Sequence, residues 1–377
     1  MPIKAGQPKH ERISDEVRHA ISSGQYKEGE RIPTEAELVK QYETSRPTVA
    51  RALRKLQHEG LIERRAGSGT YVRKTSPEQG QLFGLVIPRL GETEIFEPIC
   101  REMARSSQAN HHGLLWAATG VDASGDAGEE AWQACQQCIE RKVAGVFFAP
   151  LEFTADGQAH NERVVQALDA AGIPIVLLDR DIYRSPRRSP YDRVGIDNRA
   201  AGFTVTDHLL SLGCRRPGFF SRPYSAETVT MRLQGYHEAL RQYGVVAEGS
   251  WVAEGDPSDV PMVRQYLEAS RVDGLVCAND ITAANLMHSL DLLGVKTPQD
   301  VRIVGIDDVK YASLLRVPLT TLHQPCDHIG AAAVRAMIER ITTPEIPPRD
   351  ILLHCQLVVR DSCGSRLNLT SAQQDVK

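Results

Sequence analysis

No stretch of this chain approaches the roughly twenty consecutive apolar residues that a membrane span needs, and its N-terminus is polar overall. A secretory leader and a membrane partner are therefore not expected, and the expected location is the cytoplasm. The eight cysteines are scattered over 377 residues, which gives no small disulfide framework. Cys135 and Cys138 form a lone CxxC in a helical stretch, with no second pair at zinc-ribbon spacing. They read as ordinary reduced thiols, and no metal is expected. Asn368-Leu369-Thr370 is a glycosylation sequon by chance in a chain with no export signal. There is also no Walker-type loop, no G-x-G-x-x-G after the first strand of the body and no G-x-S-x-G elbow. No lysine stands at a strand end in a Schiff-base context. These gaps remove the common nucleotide, dinucleotide and acyl-transfer enzymes, leaving no catalytic residue and no cofactor to expect.

What is present is ordinary for a globular protein, at 41% hydrophobic and 24% charged, with length enough for two or three units. The charge is unevenly placed. Residues 1–73 hold 14 Lys and Arg against 10 Asp and Glu, while the remainder holds 30 against 38. A basic head on an acidic body suits a polyanion partner at the head.

The head carries the clearest local pattern. Pro33-Thr34-Glu35-Ala36-Glu37-Leu38 opens one short helix, with Thr34 and Glu37 at capping-box spacing. Ser45-Arg46-Pro47-Thr48 opens a longer one after the tight turn Glu43-Thr44-Ser45. Val49, Ala52, Leu53 and Leu56 recur at i, i+3, i+4 and i+7, so one stripe packs inward. Pro47, Arg51, Arg54 and Lys55 fall on the opposite side. Pro47 sits in the first turn, where its missing N–H costs nothing. Two β-prone runs follow around Arg64, Arg65, Gly67 and Gly69. Helix, turn, helix and basic hairpin predict a winged helix-turn-helix over residues 1–73 that docks double-stranded DNA. The bland alternative, a solvated basic face with idle arginines, leaves the agreement of cap, turn, period and wing unexplained. An upstream helix, about residues 11–23, repeats Ile13, Val17, Ala20 and Ile21 beneath the pair.

Residues 74–81 are polar, contain Pro77 and Gly80, and read as a linker. From Leu82 the texture changes to α/β. Apolar strand-length runs at 82–87, 143–148, 173–178, 193–196, 217–220, 274–277 and 301–306 alternate with helical stretches at 200–212, 232–243, 283–293 and 329–341. This predicts parallel sheets built from βαβ units, two in number, over residues 82–366, followed by a polar tail at 367–377. Val194-Gly195-Ile196-Asp197-Asn198 is echoed by Val304-Gly305-Ile306-Asp307-Asp308. Both place acidic residues at a carboxyl sheet edge, where ligands of open α/β sheets bind. Asp197 and Asn198 read as helix caps, while Asp307 is as readily a ligand group.

Over about sixty residues, "PTEAEL", "SRPTVARALRKLQHEGLIERR" and "GSGTYV" resemble the GntR family of bacterial transcription factors. The resemblance implies DNA contacts from the start of the second helix and from the wing. By this route and the local pattern, the candidates are Thr34, Glu35, Ser45, Arg46, Pro47, Thr48, Arg51, Arg54, Arg64, Arg65, Gly67 and Gly69. Ala36 and Ala50 stand where many members carry arginine, the second cation moving to Arg51, so the operator read differs.

The body, through "FGLVIP", "AGVFFAP", "AAGIPIVLLDRD", "RVGIDNRAAGFTVTDHLLSLGCRRPGFF", "MRLQGYHEAL", "DGLVCANDITA", "RIVGIDDV" and "PLTTLHQP", resembles the effector domain of the lac and galactose repressors, itself similar to periplasmic sugar-binding proteins. That implies two α/β lobes joined by three crossovers, with a small sugar or sugar derivative between them. The implied effector contacts are Phe96, Asp179, Arg232, Asn279, Asp307 and Gln324. Carboxylates accept from vicinal hydroxyls, Arg and Asn donate, and an aromatic covers an apolar ring face. The plain alternative is that Asp179 and Arg232 form only an ion pair between lobes. Arg180 or Arg222 would serve a phosphate, if the sugar carried one.

The resemblance implies a homodimer on a palindromic operator, released by its ligand. The residues themselves do not set that sign, so a corepressor stays open. An enzyme acting on a sugar or nucleotide is the competing class, and a transport or chemotaxis binding protein a third. Turnover of a bound sugar would mark the enzyme, against which the missing motifs stand; the missing export signal and the DNA head speak against the transport protein.

Overall fold

A computed structural model describes residues 9–22, 25–27, 29–58, 61–65, 68–72, 80–88, 94–116 and 126–365. The chain divides into two units, Met1–Gln79 and Gly80–Lys377. Most of the expected linker (74–79), the tail (367–377) and Gly67 lie outside the described residues.

In the first unit, α1 (Lys9–Ser22), α2 (Glu35–Gln41) and α3 (Arg46–His58) precede the hairpin of β1 (Ile62–Arg65) and β2 (Gly69–Val72). Thr34 and Glu37 form the expected capping box. The Thr34 amide donates to Glu37 Oε2 at 2.7 Å and the Glu37 amide to Thr34 Oγ1 at 3.3 Å. Glu43 takes a left-handed φ of 45° in the turn that lets α3 start. Ile13 and Val17 from α1 meet Leu38, Val49, Ala52, Leu53, Leu56 and the strand residues Ile62 and Val72 in one core. Leu53 is 1% exposed, so Leu53→Ala removes packed atoms that nothing nearby replaces. We expect a loss of roughly 2–5 kcal/mol in the head's urea transition, with the body's transition unmoved.

The second unit holds two six-stranded sheets. The first is built from β3 (Leu82–Val86), β4 (Gly113–Trp116), β5 (Gly145–Phe148), β6 (Ile175–Leu178) and β7 (Asp192–Ile196), joined late by β13 (Asp350–Leu353). Its order is β13-β7-β6-β5-β3-β4 and every pairing is parallel. Helices α4 (Phe96–Ala109), α5 (Ala127–Glu140) and α6 (Gly157–Ala170) supply the crossovers. The second sheet comprises β8 (Pro217–Ser221), β9 (Val252–Glu254), β10 (Gly274–Cys277), β11 (Arg302–Asp307), β12 (Thr320–His323) and β14 (Gln356–Val358). In the order β14-β12-β11-β10-β8-β9 only β14 runs antiparallel to its neighbour. Helices α7 (Asn198–Ser211), α8 (Glu227–Gln242), α9 (Val260–Ser270) and α10 (Asp280–Leu292) cover it, while α11 (Cys326–Thr342) packs against α4 and the first sheet.

The chain thus passes between lobes three times: after β7, after β12, and between β13 and β14. Strands buried on both faces explain the continuous apolar runs, as in Phe147–Phe148 and Val176–Leu178, all 0% exposed. Buried Asp192 pins the first lobe, accepting from Arg340 Nη2 at 2.9 Å and from the Arg349 amide at 2.8 Å. Helices α7 and α8 touch through glycines. A Cβ on Gly202 would lie 1.9 Å from the Arg232 carbonyl oxygen, and one on Gly235 2.0 Å from that of Arg199.

Candidate functional site

In the head, the apolar stripe of α3 is buried, which leaves Arg46, Pro47, Arg51, Arg54 and Lys55 exposed together on its outer side. Arg54 Nε donates to the Ala50 carbonyl at 3.3 Å. Ser45 and Thr48 share a hydroxyl hydrogen bond of 2.9 Å at the start of the helix. Three expected DNA contacts, Thr34, Glu35 and Arg64, have protein partners. The Thr34 hydroxyl donates to Glu37 Oε2 at 2.8 Å, and Glu35 forms an ion pair with Arg64, tying α2 to the wing. Gly69 has φ 130°, and a Cβ there would meet Arg31 Nε at 2.6 Å. Arg31 was not among the expected residues. Its backbone bridges Tyr71, which brings a further exposed cation alongside β2 of the wing. Arg65 belongs to β1.

In the body, the structure gathers five of the six expected effector residues along the carboxyl edges and crossings. Asp179 follows β6 in a left-handed conformation (φ 67°), its backbone lying over Gly195. It is 6% exposed. Burial pushes its carboxyl above the usual range, against the pull of Arg180 and Arg232. Arg232, one turn before Gly235 on α8, is 4% exposed. It donates from Nε to Asn198 Oδ1 at 2.8 Å and from Nη1 to the Ala278 carbonyl at 2.6 Å, and its Nη2 faces Asp307 Oδ1 at 3.8 Å. Asp307 ends β11 with φ 132° and accepts from Gln324 Nε2 at 2.7 Å. Burial raises its carboxyl too, partly offset by Arg232. Phe96, the first residue of α4, is buried beneath Arg180, whose guanidinium carbon lies 5.5 Å from the ring centroid. Asn279 stands apart in role. Its Oδ1 caps α10, accepting from the Thr282 amide at 3.0 Å and hydroxyl at 2.6 Å.

Three members of the site were not singled out as contacts. Glu152 receives Arg180 Nη1 at 2.5 Å; its position after β5 is the sheet-edge signal that could have found it. Arg180, weighed only as a phosphate partner, is 4% exposed and turned onto Glu152 and Asp179. Asn198, read as a cap, instead presents its amide oxygen to Arg232, and Asp197 alone caps α7 by accepting from the Ala200 amide at 2.9 Å. The reason is register: Asn198 is the first helical residue, so its side chain points inward. Arg222 lies 4.4 Å over the Phe153 ring rather than in the cluster.

Asp179 Oδ1 and Gln324 Oε1 are buried without a hydrogen-bond partner. A buried acceptor left open costs about 1–3 kcal/mol. Asp307 and Gln324 also wall a cleft of about 990 Å³ that runs past Glu94, Tyr311, Leu314 and His354. Among the described residues no group of three metal-ligating side chains occurs, and no helix is long and apolar enough to cross a membrane. Cys135 and Cys138 are buried in the core, which pushes their thiols up to about 11 and about 12.

The fold and sites define a two-part class, a helix-turn-helix head of GntR type followed by a periplasmic-binding-protein-like body. Residues 9–72 match the bacterial regulatory proteins of the gntR family, and residues 206–363 match the periplasmic binding protein-like domain. The chain is 29% identical over 367 residues to the arabinose metabolism transcriptional repressor of Geobacillus stearothermophilus, spanning 94% of this chain and 97% of that protein. It is 33% identical over 201 residues to the regulator CelR of Thermobifida fusca, 52% of this chain and 58% of that one. The solved CelR–cellobiose complex superposes with a TM-score of 0.64 at 25% identity, covering 85% of this chain and 91% of that one. These relatives are transcriptional regulators.

Proposed function

We propose that the chain is a ligand-responsive transcriptional repressor. It binds a palindromic operator in the cytoplasm as a homodimer and leaves it when a sugar-like effector enters the body between the lobes. The observation that carries this reading is the buried set Asp179, Arg232, Asp307 and Gln324 with two acceptor atoms open. It draws on both lobes, at the carboxyl sheet edges and one crossing, so whatever satisfies these atoms favours one relative placement of the lobes. The named relatives support it: one is a repressor of arabinose metabolism, and another is solved with cellobiose bound. The same residues provide no nucleophile–base pair, which favours a sensor over an enzyme.

At the DNA end, Arg46 and Arg51 are the base readers and Arg54, Arg64 and Arg31 the phosphate cations. Arg51→Ala is expected to weaken operator binding about 10- to 100-fold and to relax the sequence preference, the usual loss for one base-reading arginine. Arg64→Ala weakens all DNA alike and lowers the salt slope by about one. Fluorescence anisotropy with a duplex from its own promoter region, across a salt series, separates the two. If neither change alters DNA affinity, the head does not read DNA through this face.

A further inference from the structure

Phe96, Asp179 and Arg232 do not line the 990 Å³ cleft; of the core set only Asp307 and Gln324 do. The cleft therefore lies beside the core set and shares Asp307 and Gln324 with it. It lies at the upper end of the roughly 300–1,000 Å³ spanned by small-molecule pockets, several times what one sugar ring fills. Just behind its surface lie two polar atoms without a hydrogen-bond partner, Gln324 Oε1 and the Tyr311 hydroxyl, both buried. Its lining also includes the apolar side chains Ile95, Pro98, Val309 and Leu314 and the ring of Tyr311. Leu314 is 80% exposed, a large apolar side chain at the cleft wall that an occupant would cover. The two lining cations, Lys310 and Arg101, and nearby Arg360 each have a carboxylate partner. Lys310 and Arg101 both bind Glu97, at 3.3 and 2.8 Å, and Arg360 binds Asp308 at 2.6 Å. The lining carries five carboxylates, Glu94, Glu97, Asp307, Asp308 and Asp327, against Arg101 and Lys310, a balance that disfavours a phosphate or carboxylate.

Resting on the sugar-sensor reading above, we propose that this compartment holds the second ring of an uncharged oligosaccharide, the first ring occupying the core site. The effector is then a short neutral oligosaccharide rather than a single sugar or a sugar phosphate. Tyr311 and Gln324 hydrogen-bond the second ring's hydroxyls, and Leu314 with Pro98 covers its apolar face.

Isothermal titration of the full-length protein with matched pairs tests this: xylose and xylobiose, glucose and cellobiose, arabinose and arabinobiose, each beside glucose 6-phosphate. The expected result is that one disaccharide binds at least tenfold more tightly than its own monosaccharide. Tyr311→Phe and Leu314→Ser, each checked for folding by operator binding, then narrow that preference. If a monosaccharide binds as tightly as its dimer, and Asp307→Asn abolishes both, the core site stands and the second compartment falls. Tight binding of glucose 6-phosphate overturns the uncharged class. If no saccharide of either length binds while the DNA head still works, the compartment and the sugar-sensor reading fall together.

Discussion

Arg232→Ala should abolish any effector response and cost the body roughly 3–5 kcal/mol, the usual penalty for removing one partner of a buried charge cluster. The size follows from its partners: Asn198, the Ala278 carbonyl and Asp307 are all left facing a void. The loss also carries a pH signature. Burial already raises the Asp307 carboxyl, and without the guanidinium it rises further. Below the raised wild-type value Asp307 is protonated in both proteins, and this part of the penalty is absent. As pH rises through that value, the wild type ionises beside Arg232 while the variant cannot, so the stability gap widens. Urea unfolding at pH 5 and pH 9 should show the larger difference at pH 9. A gap that is equal at both, or larger at pH 5, would mean that Arg232 does not compensate Asp307.

Gly235→Val should unfold the body or leave it in inclusion bodies. The α7–α8 contact places the Gly235 Cα against backbone, with the Arg199 carbonyl oxygen 2.0 Å and the Phe203 nitrogen 2.6 Å from an added Cβ. Backbone cannot swing aside as a side chain can, so the cost meets or exceeds the roughly 3 kcal/mol at the top of ordinary overpacking. The same spacing sets Arg232 over Asn198, one turn earlier on α8, and a displaced helix withdraws the guanidinium from the site. Gly244→Ala is the control. Gly244 has φ 68° but nothing within 4 Å of an added Cβ, so its cost is only that of the left-handed backbone. If Gly235→Val melted within a few degrees of Gly244→Ala, the close helix contact would be wrong.

How much of this was legible beforehand depended on whether a feature was local. The capping box, the α3 stripe and the seven apolar strand runs write themselves into adjacent residues, and each appears where the pattern put it within a few residues. The edge strands β9, β13 and β14 do not, because they are half-exposed, carry polar residues and have their pairing decided by distant chain. Helix starts were read late for the same reason: α8 begins at Glu227, five residues before the first position the pattern marked, since its opening residues Glu227, Thr228 and Val229 are buried by packing rather than spaced by amphipathicity. Resemblance pointed to Asp179, Arg232, Asp307 and Gln324, and the structure joins them. It did not reveal that Arg180 is spent on Glu152, or that Asn198 faces inward to hold Arg232. Those are facts about which side chain reaches which, across 28 and 34 positions of chain.

The most direct test of the whole account is operator binding measured with and without a ligand that stabilises the body. A thermal-shift panel of neutral mono- and disaccharides first finds that ligand; at one hundred times its dissociation constant it should stabilise the body by about 2.7 kcal/mol. Anisotropy of promoter DNA is then recorded for the wild type and for Asp179→Asn. The expected result is salt-sensitive, sequence-selective binding that the saccharide weakens in the wild type and leaves unchanged in Asp179→Asn. DNA affinity untouched by a ligand that plainly stabilises the wild-type body would contradict it.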